Sequence, residues 1–230
     1  MRDSIIDLDK ALLLSLNGSN SLFADGLIAT LTNAQTWIPL YVALLYLVIK
    51  NNDSIKKIAT IVACVVLCVL LAGTIDDLVV KPTVGRWRPT HDPVIGTMVD
   101  VVNGYRGGYY GFFSAHAANT FSIALFFTLL VRNAYLSISL VTWSLANCWT
   151  RIYLGVHYPG DILVGLIWGA TVATVVYFLY RYIIPTNNDA TYITSQYSKT
   201  GYSATDSDVV ISVLAYIFIY SLVKACIIFF

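Results

Sequence analysis

Charge is scarce in this chain. Of 230 residues only 12% are Asp, Glu, Lys or Arg, against 57% hydrophobic, whereas soluble domains carry roughly a quarter charged residues. The net charge is +1, so the basic footprint of a nucleic-acid binder is missing. Cysteine is also sparse. Cys64, Cys68, Cys148 and Cys226 all fall in apolar runs, with no C-x-x-C. Cys64 and Cys68 share a helix face, but small apolar filler explains them better than a metal or redox pair. The opening MRDSIIDLDK holds three aspartates where a secretory signal would have a basic start and an unbroken apolar core. A signal peptide is therefore not expected. No internal repeat is visible.

What remains is a succession of apolar runs, each close to the ~20 residues needed to cross a bilayer. Lipid offers no water to an unpaired backbone, so the expected fold class is all-α, a polytopic membrane helical bundle. Spans are expected at 37–49, 58–80, 113–131, 134–149, 159–184 and 209–228. The chain reads as a single membrane-embedded domain. Residues 1–34 form interfacial helices, 35–183 the catalytic bundle, 184–208 a polar loop and 209–230 an extra C-terminal span. Ile5, Ile6, Leu8, Leu12 and Leu13 alternate at helical spacing with Asp3, Asp7 and Lys10, the pattern of a helix lying on a membrane surface.

Six spans place the connections alternately on two sides. The 50–57 turn, Arg132–Asn133 and Arg181 share one side, which the positive-inside rule makes cytoplasmic. The 81–111 loop and residues 151–158 fall on the other side and carry Lys and Arg against that rule. An outward-facing anion site accounts for the exception. Three segments supply its chemistry: KPTVGRWRP at 81–89, FFSAHAAN at 112–119 and RIYLGVHYPGD at 151–161.

Lys81, Arg88 and Arg151 can surround a tetrahedral anion, since guanidinium forks match phosphate oxygens in pairs. Ser114 is placed to cap the helix that follows it, whose first N–H groups add donors for the same anion. Two of the chain's three histidines, His116 and His157, lie in these segments. Asp161, four residues after His157, can take the Nδ1 proton and leave Nε2 free. This set fits phosphoryl transfer through a phosphohistidine: His157 attacks phosphorus, and His116 protonates the leaving oxygen and then activates water. The three cations neutralise the phosphate, so no metal or other cofactor is called for. His91 reads as a bystander, Arg86 and Arg106 as contacts to anionic lipid, and Asp76 and Asp77 as partners of Lys81 or caps of the span end.

The pattern K-x6-R-P, then P-S-G-H, then S-R-x5-H-x3-D resembles the type 2 phosphatidic acid phosphatase superfamily. Lys81, Arg88 and Pro89 match the first motif. In the second, Phe113 and Ala115 replace proline and glycine around Ser114 and His116. In the third, Thr150 replaces serine while Arg151, His157 and Asp161 match. The resemblance implies a metal-independent lipid phosphatase with His157 as nucleophile and Lys81, Arg88, Ser114 and Arg151 as phosphate ligands. Ala115 keeps its N–H for phosphate, and the replacement is expected to be tolerated where that residue is helical.

The N-terminal region also resembles small bacterial members that act on undecaprenyl diphosphate, lipid A or phosphatidylglycerophosphate at the outer face of the inner membrane. The expected partners are thus a membrane lipid phosphate and the bilayer, with no nucleic acid and no obligate protein partner. The 90–111 loop is the expected selectivity element. A polyprenyl diphosphate and a lipid A phosphate stay open as substrates, with phosphatidylglycerophosphate or phosphatidic acid as alternatives. A non-catalytic lipid-phosphate binder or transporter is the competing class.

Overall fold

The computed structural model describes residues 2–185 and 196–228. Each expected span is a helix. The N-terminal helix α1 (Arg2–Leu16) is followed by α2 (Leu22–Thr32), which Ser21 caps by accepting the Ala24 N–H. A turn at Ala34–Trp37 then bends the path by 65° into α3 (Ile38–Lys50). Helix α4 (Ile55–Val69) winds on through two π-helical turns, Leu70–Thr74 and Asp76–Val80, into α5 (Lys81–Val84). Together they make one apolar rod of 30 residues. At ~1.5 Å per residue such a rod is longer than a ~30 Å hydrocarbon core, so it must tilt or project. Gly85, at φ +61°, ends it.

Helices α6 (Ala115–Val131) and α7 (Ala134–Tyr153) are capped by Ser114 and Asn133, while α8 (Pro159–Ile183) starts on a proline, whose missing N–H costs nothing at a helix start. The last helix, α9 (Ala204–Ile228), begins five residues before the expected 209, because Ser203 accepts the Asp206 N–H and caps it. Asp206 in its first turn accepts from Tyr46 and Asn51, which ties α9 to α3. Residues 186–195 of the expected polar loop lie outside the described residues. Its remainder packs down, with Tyr202 buried and Thr200 donating to the Val131 carbonyl.

By length and composition Ile55–Val84, Pro159–Ile183 and Ala204–Ile227 can each cross a membrane, and the bent pair Leu22–Thr32 with Ala34–Lys50 is a fourth candidate. Helix α6 is apolar but shorter. Helix α7 carries Ser144, Asn147, Thr150 and Arg151 on its buried side. Its polar content sets it apart from the lipid-facing rods. Helix α1 differs from a free surface helix. Ile5 and Leu8 are exposed, but Leu13 is fully buried with Ile95, Val99 and Tyr158.

The centre of the bundle is the seam between α6 and α8. A Cβ at Gly165 would sit 2.7 Å from the Ser114 carbonyl oxygen, and one at Gly169 would sit 2.5 Å from that of Ala118. Backbone packs on backbone here, as small residues permit between apolar helices. The seam aligns the starts of α6 and α8 at the end where α5 and α7 finish. Gly169→Ala is therefore expected to destabilise the protein by about 1–3 kcal/mol, because the opposing backbone cannot yield. Thermal unfolding in detergent reads this out. Gly108→Ala, where an added Cβ meets nothing within 4 Å, should leave the midpoint unchanged.

Candidate phosphate-transfer site

Three connections meet at that end. Past Gly85 the chain runs extended, so alternate side chains share a face. Arg86 and Arg88 point into the bundle, and Trp87 between them is 42% exposed. The segment is held by backbone hydrogen bonds, Arg88 N–H to Tyr109 and Gly111 N–H to Arg86. Ser114 caps α6, accepting the Ala117 N–H, and its own N–H donates to the Asp161 carbonyl at 3.1 Å. Ala115 is the first residue of α6, and Asn103 and Arg132 are the non-glycine residues with positive φ among the described residues. The glycine-to-alanine departure thus costs no backbone strain.

His157 lies in the short α7–α8 connection and is 1% exposed. Arg88 Nη1 is 3.0 Å from its Nε2. A guanidinium only donates, so Nε2 is the acceptor and the proton of the neutral ring sits on Nδ1. That nitrogen faces Asp161 Oδ2 at 3.7 Å. The expected hydrogen bond is therefore not formed: the distance exceeds hydrogen-bond length, and Nδ1 is buried without a partner. The orientation is the expected one; the contact is longer. Burial, together with the charges of Arg88, Arg151, Lys81 and His116, holds the His157 value well below that of a free imidazole. His116, by contrast, is exposed.

The cations divide into two kinds. Lys81 pairs with Asp76, at 2.9 Å, and with Asp77, while Asp76 also accepts the Phe113 N–H. Arg86 forks between Asp9 and Asp161, 2.6 Å to each. Burial alone would lower its value, but the two carboxylates outweigh that and secure its charge. Among the described residues Arg88 and Arg151 hydrogen-bond only to neutral groups. Arg88 donates to the Tyr110 and Val156 carbonyls and to His157. Its value is lowered, by burial first and then by Arg151. Arg151 is 2% exposed, donates to Thr32 and Tyr105, and keeps a buried Nε with no partner. A buried guanidinium that hydrogen-bonds no carboxylate, as at Arg151, is costly, and a phosphate would relieve it.

Of the residues expected at the site, Arg88, His157, Asp161 and Ser114 are joined by direct contacts, and an expected bystander joins them. Arg86 is not a lipid contact but the partner of Asp161. Arg106 donates to the Thr90 carbonyl and braces the loop. Asp9, Thr32 and Tyr105 were not anticipated. The two-residue spacing of Arg86 and Arg88 could have signalled a shared face, whereas nothing local marks Asp9. His91 lies apart, its ring 5.0 Å from Tyr109. Among the described residues no cluster of His, Cys, Asp or Glu has a metal-binding arrangement.

The PAP2 superfamily model matches residues 36–185. The chain belongs to the PAP2 superfamily. Within this superfamily it is similar to the lipid A 4'-phosphatase of Bacteroides thetaiotaomicron, at 39% identity over 78% of this chain and 80% of the relative. It is also similar to the lipid A 4'-phosphatase of Porphyromonas gingivalis, at 34% identity over 77% of this chain and 75% of the relative. A decaprenylphosphoryl-5-phosphoribose phosphatase of Mycobacterium tuberculosis is 38% identical over 43% of this chain and 50% of its own length. No solved structure matches this PAP2 protein.

The depressed His157 value has a stability consequence. Below pH ~6.5 the unfolded chain takes up a proton at this ring and the native one does not, so acid favours unfolding. Stability should fall as pH drops from 7 to 5, by up to ~1.4 kcal/mol per unit from this group. Thermal midpoints across that range should show a shallower acid decline in His157→Gln than in the wild type.

Proposed function

We propose that this PAP2 protein is a membrane lipid phosphatase that removes phosphate from a lipid A-type headgroup through a phosphohistidine. The observation that carries the chemistry is Arg88, half-buried against a neutral His157, together with the buried Arg151, both hydrogen-bonded only to neutral groups among the described residues. The relatives named lipid A 4'-phosphatase, which align over three-quarters of both chains, support the substrate class. A polyprenyl-linked phosphate is the second reading, favoured by the shorter match to the decaprenylphosphoryl-5-phosphoribose phosphatase.

In this reading the phosphate enters between Arg88, Arg151 and Lys81 and accepts N–H bonds from the start of α6 at Ser114 and Ala115. Arg88 then shifts its donors from Nε2 to phosphate oxygen, which frees the nitrogen lone pair. Nε2 forms a bond to phosphorus as the P–O bond to the lipid breaks, and His116 gives its proton to the departing oxygen. Water, losing a proton to His116, next attacks phosphorus. The N–P bond breaks, and inorganic phosphate and both histidines are regenerated. Asp161 stabilises the positive charge that His157 carries while it is phosphorylated. The cations supply the electrostatic stabilisation, so the mechanism asks for no metal.

Residues 35–183 would form the catalytic bundle of a single membrane domain, with the site on the extracytoplasmic side of a bacterial inner membrane. The topological support is the charge of the 81–111 and 151–158 connections, which contradicts the positive-inside trend unless an anion site lies there.

Phosphate release from lipid A, undecaprenyl diphosphate, phosphatidylglycerophosphate and phosphatidic acid, measured in detergent with EDTA present, tests this reading. Activity should persist in EDTA and be highest on lipid A. His157→Ala should abolish release while lipid binding survives, and His116→Ala should slow it by roughly 10²–10⁴-fold. A requirement for added divalent metal would overturn the mechanism. Wild-type protein that binds these lipids and hydrolyses none of them would be a carrier.

A further inference from the structure

Helix α1 lies ahead of residues 36–185, the segment that carries the family match, yet it reaches into the catalytic end. Asp9 holds two groups there. Its Oδ2 accepts from Arg86 Nη2 at 2.6 Å, and its Oδ1 accepts the Gly160 N–H at 2.8 Å. Gly160 is the second residue of α8, one before Asp161, so Asp9 caps that helix from another part of the chain, at a start whose free N–H groups favour an anion. A Cβ at residue 160 would come within 2.8 Å of the Asp9 carboxylate, so the glycine is what lets it approach. The neighbouring Lys10 adds a second tie: it pairs with Asp92 at 3.1 Å, and Asp92 accepts from the Tyr158 hydroxyl at 2.8 Å.

The other prong of Arg86 donates to Asp161 Oδ1 at 2.6 Å, and the guanidinium lies 4.2 Å over the Tyr158 ring. Asp161 Oδ2 accepts the Tyr158 N–H and is the oxygen nearest His157 Nδ1. With Oδ1 clamped, the carboxylate cannot rotate away from the imidazole. Asp9 has a further effect. A lone arginine two residues from Arg88 could swing toward a bound phosphate. Two carboxylates keep Arg86 behind the nucleophile instead of in front of it.

We propose that Asp9 and Arg86 are positioning residues, a relay that sets Asp161 against His157 and makes α1 a working part of the catalytic centre. The inference rests on the phosphohistidine reading but not on which lipid is hydrolysed.

The test compares Asp9→Asn, Arg86→Gln, Arg86→Lys and the Asp9→Asn/Arg86→Gln double variant with the full-length wild type in detergent. It uses the lipid phosphate that the wild type cleaves fastest and determines kcat and KM separately. A misplaced catalytic group costs on the order of 10²-fold in rate. Arg86→Gln should therefore lower kcat by about that factor with KM within about threefold. Arg86→Lys should recover about tenfold of the loss, since an ammonium can hold Asp161 but cannot fork to both carboxylates. Asp9→Asn should lower kcat by about tenfold alone and add nothing in the Arg86→Gln background, the mark of two residues acting as one unit.

A rise in KM with kcat intact would make Arg86 a phosphate ligand and overturn the assignment. Wild-type kcat in Asp9→Asn, or strictly additive losses, would do the same for Asp9. Thermal midpoints identify a variant that fails to fold, and Arg86→Lys and Asp9→Asn then decide the matter. A wild type that releases no phosphate from any lipid overturns the phosphatase reading itself; an active wild type with unaffected variants overturns only the relay.

Discussion

The carboxylate of Asp161 has no exposure, and a charge so placed is tolerable only because donors surround it. Arg86 takes one oxygen and the Tyr158 N–H the other. The residue's carbonyl accepts the Ser114 N–H, so the same amino acid joins the start of α8 to the cap of α6. Remove this junction and the third motif no longer has a fixed relation to the second. The extended segment after Gly85 depends on it as well, since Arg86 anchors that segment and thereby places Arg88 over His157.

The bundle's cations are sorted by what they touch. Arg86 and Lys81 are matched by aspartates, Arg86 by Asp9 and Asp161 and Lys81 by Asp76 and Asp77. Arg151 is buried and Arg88 half-buried, and among the described residues both hydrogen-bond only to carbonyls, hydroxyls and an imidazole. A buried ion pair stabilises little on balance, but a buried ion without its pair is a deficit. A phosphate dianion has the charge and the oxygen geometry to offset that deficit at Arg151.

Much of this was legible in the residues. Apolar periodicity located the helices, Ser114 declared itself as a cap, and the spacing of Lys81, Arg88, His116, Arg151, His157 and Asp161 predicted a common site. Three things were not legible. The π-helical turns between α4 and α5 leave no local signature, because apolar residues suit either winding. The partner of Asp161 was hidden because Arg86 sits in a basic stretch where an interfacial anchor is the simpler reading. The reach of Asp9 into α8 spans 151 residues, and its surroundings show only an amphipathic helix. Contacts of that range are set by tertiary packing, which sequence periodicity does not encode.

The seam at Gly165 and Gly169 carries one more implication. With carbonyls of α6 lodged against α8 where a methyl group would not fit, the walls bearing Ser114 and Asp161 cannot part to admit a bulkier headgroup. Whatever adapts to the substrate must lie on the other flank, where residues 85–113 are tethered by scattered hydrogen bonds instead of interlocked backbones. Substrate range could then drift by rewriting that strip of chain while the reacting atoms stay where they are.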